Sequence, residues 1–121
     1  MMDSETRISE LKTKIQQFCE ARDWGQYHGA KDLAIGVSTE ASELLEHFRF
    51  KSNEELEELL KNPGFRARLS EEMADVFYFL LRLSQKYDLD LSEALTAKMK
   101  GNEKKYPIHK SFGSNKKYTE L

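Results

Sequence analysis

Residues 71–83 read EEMADVFYFLLRL, a segment with no glycine, no proline and no strand-like alternation. Drawn as a helix with about 3.6 residues per turn, it carries apolar side chains around almost its whole circumference. A helix that is apolar on every side must be covered on every side. Four helices in one short chain can hardly do this, so we expect a homo-oligomer with this helix at or near the subunit contact.

The rest of the chain is also predicted to be helical, because β-branched residues are sparse and six glycines and two prolines are its only strong breakers. The predicted helices run approximately over residues 4–21, 31–48, 53–61, 65–87 and 91–106. The second of them is expected to bury one apolar face, made of Ala34, Val37, Ala41, Leu44, Leu45 and Phe48. We therefore expect an all-α fold, like a four-helix bundle with a short extra helix. Residues 1–107 would form the domain and residues 108–121 a basic tail.

Composition excludes several classes of protein. The chain has 121 residues, of which 39% are hydrophobic and 33% charged, with a net charge of -2, so it is no general nucleic-acid clamp. No segment approaches the roughly 20 apolar residues of a membrane span. The single cysteine, Cys19, excludes an intrachain disulfide and fits a reducing compartment. We expect a cytoplasmic protein that binds neither membranes nor, stably, nucleic acids.

Two helices each carry a pair of acidic residues beside an apolar face: Glu40 with Glu43, and Glu72 with Asp75. A carboxylate among apolar neighbours must protonate, pair with a cation or bind a metal ion. No histidine or cysteine joins the set at ligand spacing, and His47 is expected to be a boundary or surface residue. An all-oxygen site favours Mg²⁺, with Mn²⁺ as a substitute. The alternative is two solvated or salt-bridged pairs.

The last long helix shows a row of opposite charge. Lys98, Asn102 and Lys105 are spaced i, i+4 and i+7, on the same face as Leu91 and Leu95, which we expect to point inward. One interpretation is a row of donors aimed at phosphate groups. The other is a row of lysines whose aliphatic stems cover apolar surface while their charged ends reach water.

Taken together, these motifs resemble the MazG-like branch of the all-α nucleoside triphosphate pyrophosphohydrolases, and within it the dCTP pyrophosphatase group. The similar stretches cover nearly the whole chain: FCEARDWGQYH at 18–28, LAIGVSTEASELLEHF at 33–48, EEMADVFYFLLRL at 71–83, DLSEALTAKMKGNEKKYP at 90–107 and the closing KYTEL. The resemblance implies a helical bundle with its site inside an oligomer, commonly a dimer of dimers (a homotetramer). It also implies Mg²⁺-dependent hydrolysis of nucleoside triphosphates, dCTP and other dNTPs among them, to monophosphate and pyrophosphate, a role in cleaning the nucleotide pool.

The resemblance also assigns residues. Glu40, Glu43, Glu72 and Asp75 match the family's metal-binding catalytic residues. Its phosphate-side positions match Lys31, Lys98, Asn102, Lys105 and Tyr106, and its base-side loop matches Trp24 and His28. The chain departs from the dCTP enzymes at Phe50, Phe79 and Ile15, where they have tryptophan, tyrosine and histidine. Phe50 and Phe79 are expected to bracket the base and sugar without donating a hydrogen bond.

Chemical reasoning from the residues gives the same reaction. Metal ions held by the carboxylates would polarise the α-phosphate and activate a water, which Glu43 is a candidate to orient, while lysines stabilise the leaving pyrophosphate. Two kinds of alternative stay open. One is another branch of the superfamily, such as a dUTPase-like or phosphoribosyl-ATP-cleaving enzyme. The other is a non-catalytic helical module that binds nucleotides or a protein partner.

Overall fold

The computed structural model describes all 121 residues as helices joined by turns, without a β-strand, which confirms the all-α prediction. No helix has the length and apolar character needed to cross a membrane. The chain divides into two compact units, residues 1–88 and 89–121. The α-helices are α1 (Ile8–Glu20), α2 (Ala30–Glu46), α3 (Asn53–Leu59), α4 (Pro63–Lys86), α5 (Leu91–Lys105) and α6 (Ile108–Ser111), with 3-10 turns at Gly25–Tyr27 and Tyr118–Glu120.

Capping side chains set where several helices begin. The side chain of Asn62 accepts a hydrogen bond from the Phe65 amide at 3.1 Å, and Pro63 takes the first helical position. Proline is tolerated there because the amide it lacks would have no helical partner. Helix α4 therefore begins two residues before the predicted start. Helix α1 begins later than predicted, at Ile8, with Arg7 as a cap that makes no side-chain hydrogen bond.

The core of the first unit forms where α4 packs against α2 and α1. Its most deeply buried side chains are Cys19, Leu33 and Leu81. Gly36 lets α4 approach α2 closely, since a Cβ atom at this position would lie 2.5 Å from Cδ1 of Phe79. Gly36 is required here because it has no side chain, so the Phe79 ring can lie directly against the backbone of α2.

Part of the predicted packing is wrong in detail. The apolar face assigned to α2 included Leu45, which is 60% exposed, and omitted Leu33, which is fully buried. On α4, Met73, Phe77 and Leu80 are 59%, 39% and 39% exposed. With Leu44 and Val76 they line an open, mostly apolar groove of about 630 Å³, hereafter the α4 groove. The single chain thus leaves one side of α4 uncovered, as its sequence indicated.

The second unit contains α5, α6 and the closing 3-10 turn. Helix α5 buries no residue, and Leu95, which was expected to point inward, is 61% exposed. The tail nevertheless contacts α5. The ring of Tyr118 lies edge-on to Tyr106 at 5.9 Å between centroids, and the ammonium of Lys105 lies 4.9 Å from the centroid of the same ring.

Candidate active site

Three carboxylates from two helices meet in the first unit. Glu40 and Glu43, one turn apart on α2, face Glu72 of α4, and one oxygen from each lies within 4.8 Å of the other two. Glu40 and Glu72 are half-buried, whereas Glu43 is exposed. The spacing of three residues on α2 puts both of its members on one side of the helix, which is why a single residue of α4 can meet both.

The charges of this carboxylate cluster act on the pKa of Glu40. Burial raises the pKa of Glu40, and the charge of Glu43 and a hydrogen bond with it raise that pKa further. Asp75 and Glu72 act in the same direction. Asp75 is exposed and lies outside the group of three, yet its charge reaches Glu40. The four acidic residues singled out in the sequence therefore interact, three of them at close range.

Glu72 is held on one oxygen and free on the other. His47 Nε2 lies 3.4 Å from Glu72 Oε1, while Glu72 Oε2 is buried and has no hydrogen-bond partner. A buried carboxylate oxygen without a partner is costly unless an ion or a water meets it. The donor set, carboxylate oxygens that repel one another, fits a hard divalent cation such as Mg²⁺ or Mn²⁺.

The loop between α1 and α2 is fixed by two basic residues of α4. The Nε–H of Arg82 donates to Nδ1 of His28 at 3.1 Å, and the ammonium of Lys86 donates to the carbonyls of Gly25, at 2.9 Å, and His28. His28 is buried, and its pKa is lowered by burial and by the charges of Arg82 and Lys86. One ring nitrogen of His28 is thus already engaged within the protein.

Aromatic rings connect this loop to α4. Trp24, which is 39% exposed, lies edge-on to Phe18 at 5.5 Å. Phe18 in turn contacts Tyr78 at 6.3 Å, and Tyr78 contacts Phe79 at 5.1 Å. This row brings together Trp24 and Phe79, two of the predicted base-side residues, with Phe18 and Tyr78 between them. The pKa of Tyr78 is raised to about 12, by burial first and then by the hydrogen bond with Cys19.

Phe50 lies apart from that aromatic row. It is 92% exposed, its backbone has a positive φ of 64°, and the Arg49 guanidinium lies 4.6 Å from its ring centroid. A phenylalanine in the left-handed region costs conformational energy, and an exposed ring recovers none of it by burial. The structure contains no ring contact between Phe50 and Phe79.

The predicted phosphate-side residues are all accessible. Lys98, Asn102 and Lys105 lie on exposed positions of α5, at a spacing that places them along one side of that helix. Tyr106 caps the end of α5 and is 38% exposed. Lys31 is exposed in the first turn of α2. None of these five residues is buried as a structural element of the core.

The pattern of the MazG-like family matches residues 35–121, which include the carboxylate cluster. This match covers well over half of the chain. The chain belongs to the MazG-like family. The family resemblance stated from the sequence is confirmed, and with it the similarity to the dCTP pyrophosphatase group.

Named relatives of this MazG-like protein agree with that assignment. The chain is 36% identical to dCTP pyrophosphatase 1 of Bos taurus over 118 residues, covering 98% of this chain and 70% of the relative. It is 34% identical to dCTP pyrophosphatase 1 of Homo sapiens over 117 residues, covering 97% and 69%. A solved pyrophosphatase from Archaeoglobus fulgidus superposes with a TM-score of 0.78 at 35% identity, covering 88% of this chain and 98% of that one.

Three residues at or near the site of this MazG-like chain were not predicted from its sequence. Arg82 and Lys86 were assigned no role from the sequence, because nothing local to α4 indicates that they bind the loop before α2. His47 was expected at a boundary or on the surface and is half-buried, as a boundary residue is, but its contact with Glu72 was not predicted. Its position four residues after Glu43 is one turn further along the same side of α2, and that spacing was the available signal.

Proposed function

We propose that this protein hydrolyses nucleoside triphosphates to a nucleoside monophosphate and pyrophosphate with a divalent cation, Mg²⁺ first and Mn²⁺ as a substitute. The observation that carries the proposal is the meeting of Glu40, Glu43 and Glu72 within 4.8 Å. In a chain related over nearly its full length to proteins named dCTP pyrophosphatase, this cluster is the natural place for catalysis. Asp75 is the fourth member of the proposed metal-binding set.

The protein's own groups divide the work in this proposal. Glu40, Glu43, Glu72 and Asp75 would together hold the cation. Bound at these carboxylates, the cation supplies Lewis acidity at the α-phosphate and lowers the pKa of a water. Glu43, the most exposed of the three clustered carboxylates, orients the attacking water and accepts its proton. The attack breaks the bond between the α and β phosphates, and pyrophosphate leaves.

Two lysines and an asparagine of α5 have a separate part. Lys98, Asn102 and Lys105 stabilise the negative charge that builds up on the leaving pyrophosphate. Tyr106, at the end of the same helix, and Lys31, in the first turn of α2, add further donors for phosphate oxygens. All five side chains are accessible to a nucleotide. Their donors suit phosphate, because ammonium and amide groups make charge-assisted or directional hydrogen bonds to its oxygens.

The proposed substrates are deoxynucleoside triphosphates, with dCTP among the best. Trp24, His28 and Phe79 are proposed for the base and sugar side, together with Phe50, which lies apart from them in the single chain. Phe50 and Phe79 have no hydrogen-bond donor, so they stack on any base and discriminate weakly among bases. We therefore expect several dNTPs to be hydrolysed within about tenfold of each other, a difference of roughly 1.4 kcal/mol. A ribose hydroxyl against Phe79 would be desolvated, which favours the deoxy forms.

We also propose that the active form is a homo-oligomer in the cytoplasm, a dimer of dimers, without stable nucleic-acid binding. The apolar α4 groove supports a subunit contact, because exposed apolar surface of this kind is rarely left open on a soluble monomer. The single reduced cysteine fits the cytoplasm. In this form the chain cleans the nucleotide pool.

The experiment that tests the reaction is a panel of the common ribo- and deoxynucleoside triphosphates, with Mg²⁺, measuring pyrophosphate and orthophosphate separately. We expect pyrophosphate in equal amount to the monophosphate, and no activity in EDTA. The Glu43→Gln variant should lose turnover, whereas Glu57→Gln, a change of the same kind on the exposed face of α3, should keep it. Orthophosphate as the product would contradict the reaction class.

The same panel, extended by dUTP and phosphoribosyl-ATP, distinguishes the remaining candidates. Confinement of turnover to dUTP would point to a dUTPase-like enzyme, and cleavage of phosphoribosyl-ATP alone to the other enzymatic branch. Nucleotide binding without any turnover, in the presence of Mg²⁺ or Mn²⁺, would favour a non-catalytic binding module.

A further inference from the structure

We infer that His47 is a positioning residue for the metal centre: it fixes the carboxylate of Glu72 by one oxygen and leaves the other for the cation. The inference rests on the proposed function, since it presupposes a cation at the carboxylate cluster. It goes beyond that proposal, because a metal site built only from carboxylates assigns no role to His47.

The contact itself divides the two oxygens of Glu72. His47 Nε2 lies 3.4 Å from Oε1, and the two side chains are 21% and 22% exposed. Oε2 of the same carboxylate is buried and has no partner. An imidazole with its proton on Nε2, neutral or cationic, is a donor toward Oε1. The carboxylate is thus anchored on one side and open on the other.

The imidazole is itself held in place. His47 is the C-cap of α2, directly after its last residue, and its backbone amide donates to the carbonyl of Leu44. Its ring lies edge-on to Phe65, with 6.2 Å between centroids. Phe65 is buried, and its amide is capped by Asn62 at the start of α4. Because the ring is fixed by the end of one helix and the start of another, it can orient Glu72 rather than follow it.

Fixing Glu72 matters because a free glutamate has several rotatable bonds. Ordering such a side chain on binding costs conformational free energy. A residue that orders it beforehand removes that cost from metal binding. Partners of this kind, which hydrogen-bond to metal-binding residues, change metal affinity by roughly 10- to 100-fold when they are lost.

His47 acts through Glu72 and does not bind the cation directly. The ligand atoms that approach one another within 4.8 Å belong to Glu40, Glu43 and Glu72, and no ring nitrogen of His47 joins them. Its Nε2 points to an oxygen of Glu72 instead. The expected effect of removing it is therefore a weaker site of the same type, with Mg²⁺ and Mn²⁺ still preferred.

The test is calorimetric titration of the metal-free, full-length protein with Mn²⁺ in the absence of nucleotide. His47→Leu keeps an apolar group against Phe65 but has no donor, and we expect its Mn²⁺ dissociation constant to rise about tenfold or more. His47→Gln keeps an N–H donor, and we expect it to lie within about threefold of the wild type. His109→Leu removes an exposed histidine of α6 and should leave Mn²⁺ binding unchanged.

The outcomes separate this inference from the proposed function. Wild-type protein that binds Mn²⁺, with His47→Leu binding equally well, would overturn the role of His47 and leave the metal centre intact. Equal weakening in His47→Leu and His47→Gln, both folded by thermal unfolding, would show that the residue only packs and would also overturn it. Wild-type protein that binds no Mn²⁺ would overturn the metal centre itself, and this inference with it.

Discussion

The guanidinium of Arg82 donates from Nε to Nδ1 of His28 across 3.1 Å, and both side chains are buried. A hydrogen bond received at Nδ1 requires this nitrogen to be unprotonated, so the bond is compatible only with neutral His28. Protonation would place a cation next to Arg82 and Lys86 and break the bond. The loop that carries Trp24 is thus anchored by His28, and this anchor holds only while the imidazole is neutral.

We predict that the protein loses stability on acidification because of His28. The pKa of His28 is lowered from its usual 6.5, first by burial and then by the charges of Arg82 and Lys86. Above pH 6.5 the full stabilisation is present, and it is lost as the pH falls from 6.5 through the lowered pKa, because the unfolded chain binds the extra proton. Thermal unfolding from pH 7.5 to 5 should show a steeper loss in the wild type than in His28→Gln. His109→Gln, at an exposed site, should keep the wild-type slope.

We predict opposite effects of alanine at two helical glycines. At Gly36 a Cβ would lie 2.5 Å from Phe79, so Gly36→Ala should lower the unfolding free energy by about 1–3 kcal/mol. At Gly101 of α5 a Cβ would meet nothing within 4 Å, so Gly101→Ala should raise it by about 0.5–1 kcal/mol. Urea unfolding measures both. An unchanged Gly36→Ala protein would mean that Phe79 moves aside easily.

Neutralising Glu40 should stabilise the metal-free protein and abolish catalysis. The pKa of Glu40 is raised above 4.5 by burial and by three carboxylates, so its charge destabilises the fold at neutral pH. In EDTA at pH 7.5, Glu40→Gln should therefore melt above the wild type. The difference should vanish below pH 4.5, where Glu40 is protonated in the folded and unfolded states. Turnover with Mg²⁺ should fall by about a hundredfold or more. Glu57→Gln, on the exposed face of α3, is the control for both measurements.

The α4 groove should lie at a contact between copies of the chain. Met73, 59% exposed in the groove, is the residue to change. Sedimentation velocity at micromolar concentration should find the wild type as an oligomer and Met73→Glu as a smaller species, since a charge would be buried in an apolar contact. Tyr27→Glu is the control: it introduces the same charge at a similarly exposed side chain outside the groove and should keep the wild-type size. A well-folded wild-type monomer of 14.1 kDa would contradict the prediction.

The lysines of α5 should act on catalysis rather than on folding. Lys98→Met and Lys105→Met each remove a charge while keeping an aliphatic stem, and both sites are exposed. We expect kcat/KM to fall about tenfold or more with little change in melting temperature. Lys100→Met, on another side of the same helix, should be close to the wild type. Equal effects at all three positions would indicate general charge attraction.

The sequence was informative wherever helical spacing alone decides which residues share a face. The pairing of Glu40 with Glu43, and the incomplete cover over Met73 and Phe77, could both be read from periodicity. Leu45 could not be placed in this way, because several apolar residues of α2 compete for one buried face and neighbouring helices decide between them. The same holds for Leu33, which lies close to the start of α2 and is buried only through tertiary packing.

Contacts between distant residues were beyond the reach of sequence reasoning. His47 meets Glu72, and Arg82 meets His28, across separations of 25 and 54 residues, which no local pattern encodes. The backbone of Phe50, with φ of 64°, was equally hidden, because phenylalanine gives no indication of a left-handed conformation. Pro63 could have been placed correctly, since proline is as typical of a helix start as of a helix end.

Helix α4 presents Glu72 to the carboxylate cluster, Met73 to the α4 groove and Arg82 to the loop between α1 and α2. A residue inserted or deleted between positions 72 and 82 would rotate one of these surfaces by about 100° against the others. Such a change in length would damage at least two of them together, whereas a substitution alters only one. In descendants of this gene, insertions and deletions should therefore accumulate in the connections outside α4, and the length of this helix should be inherited unchanged.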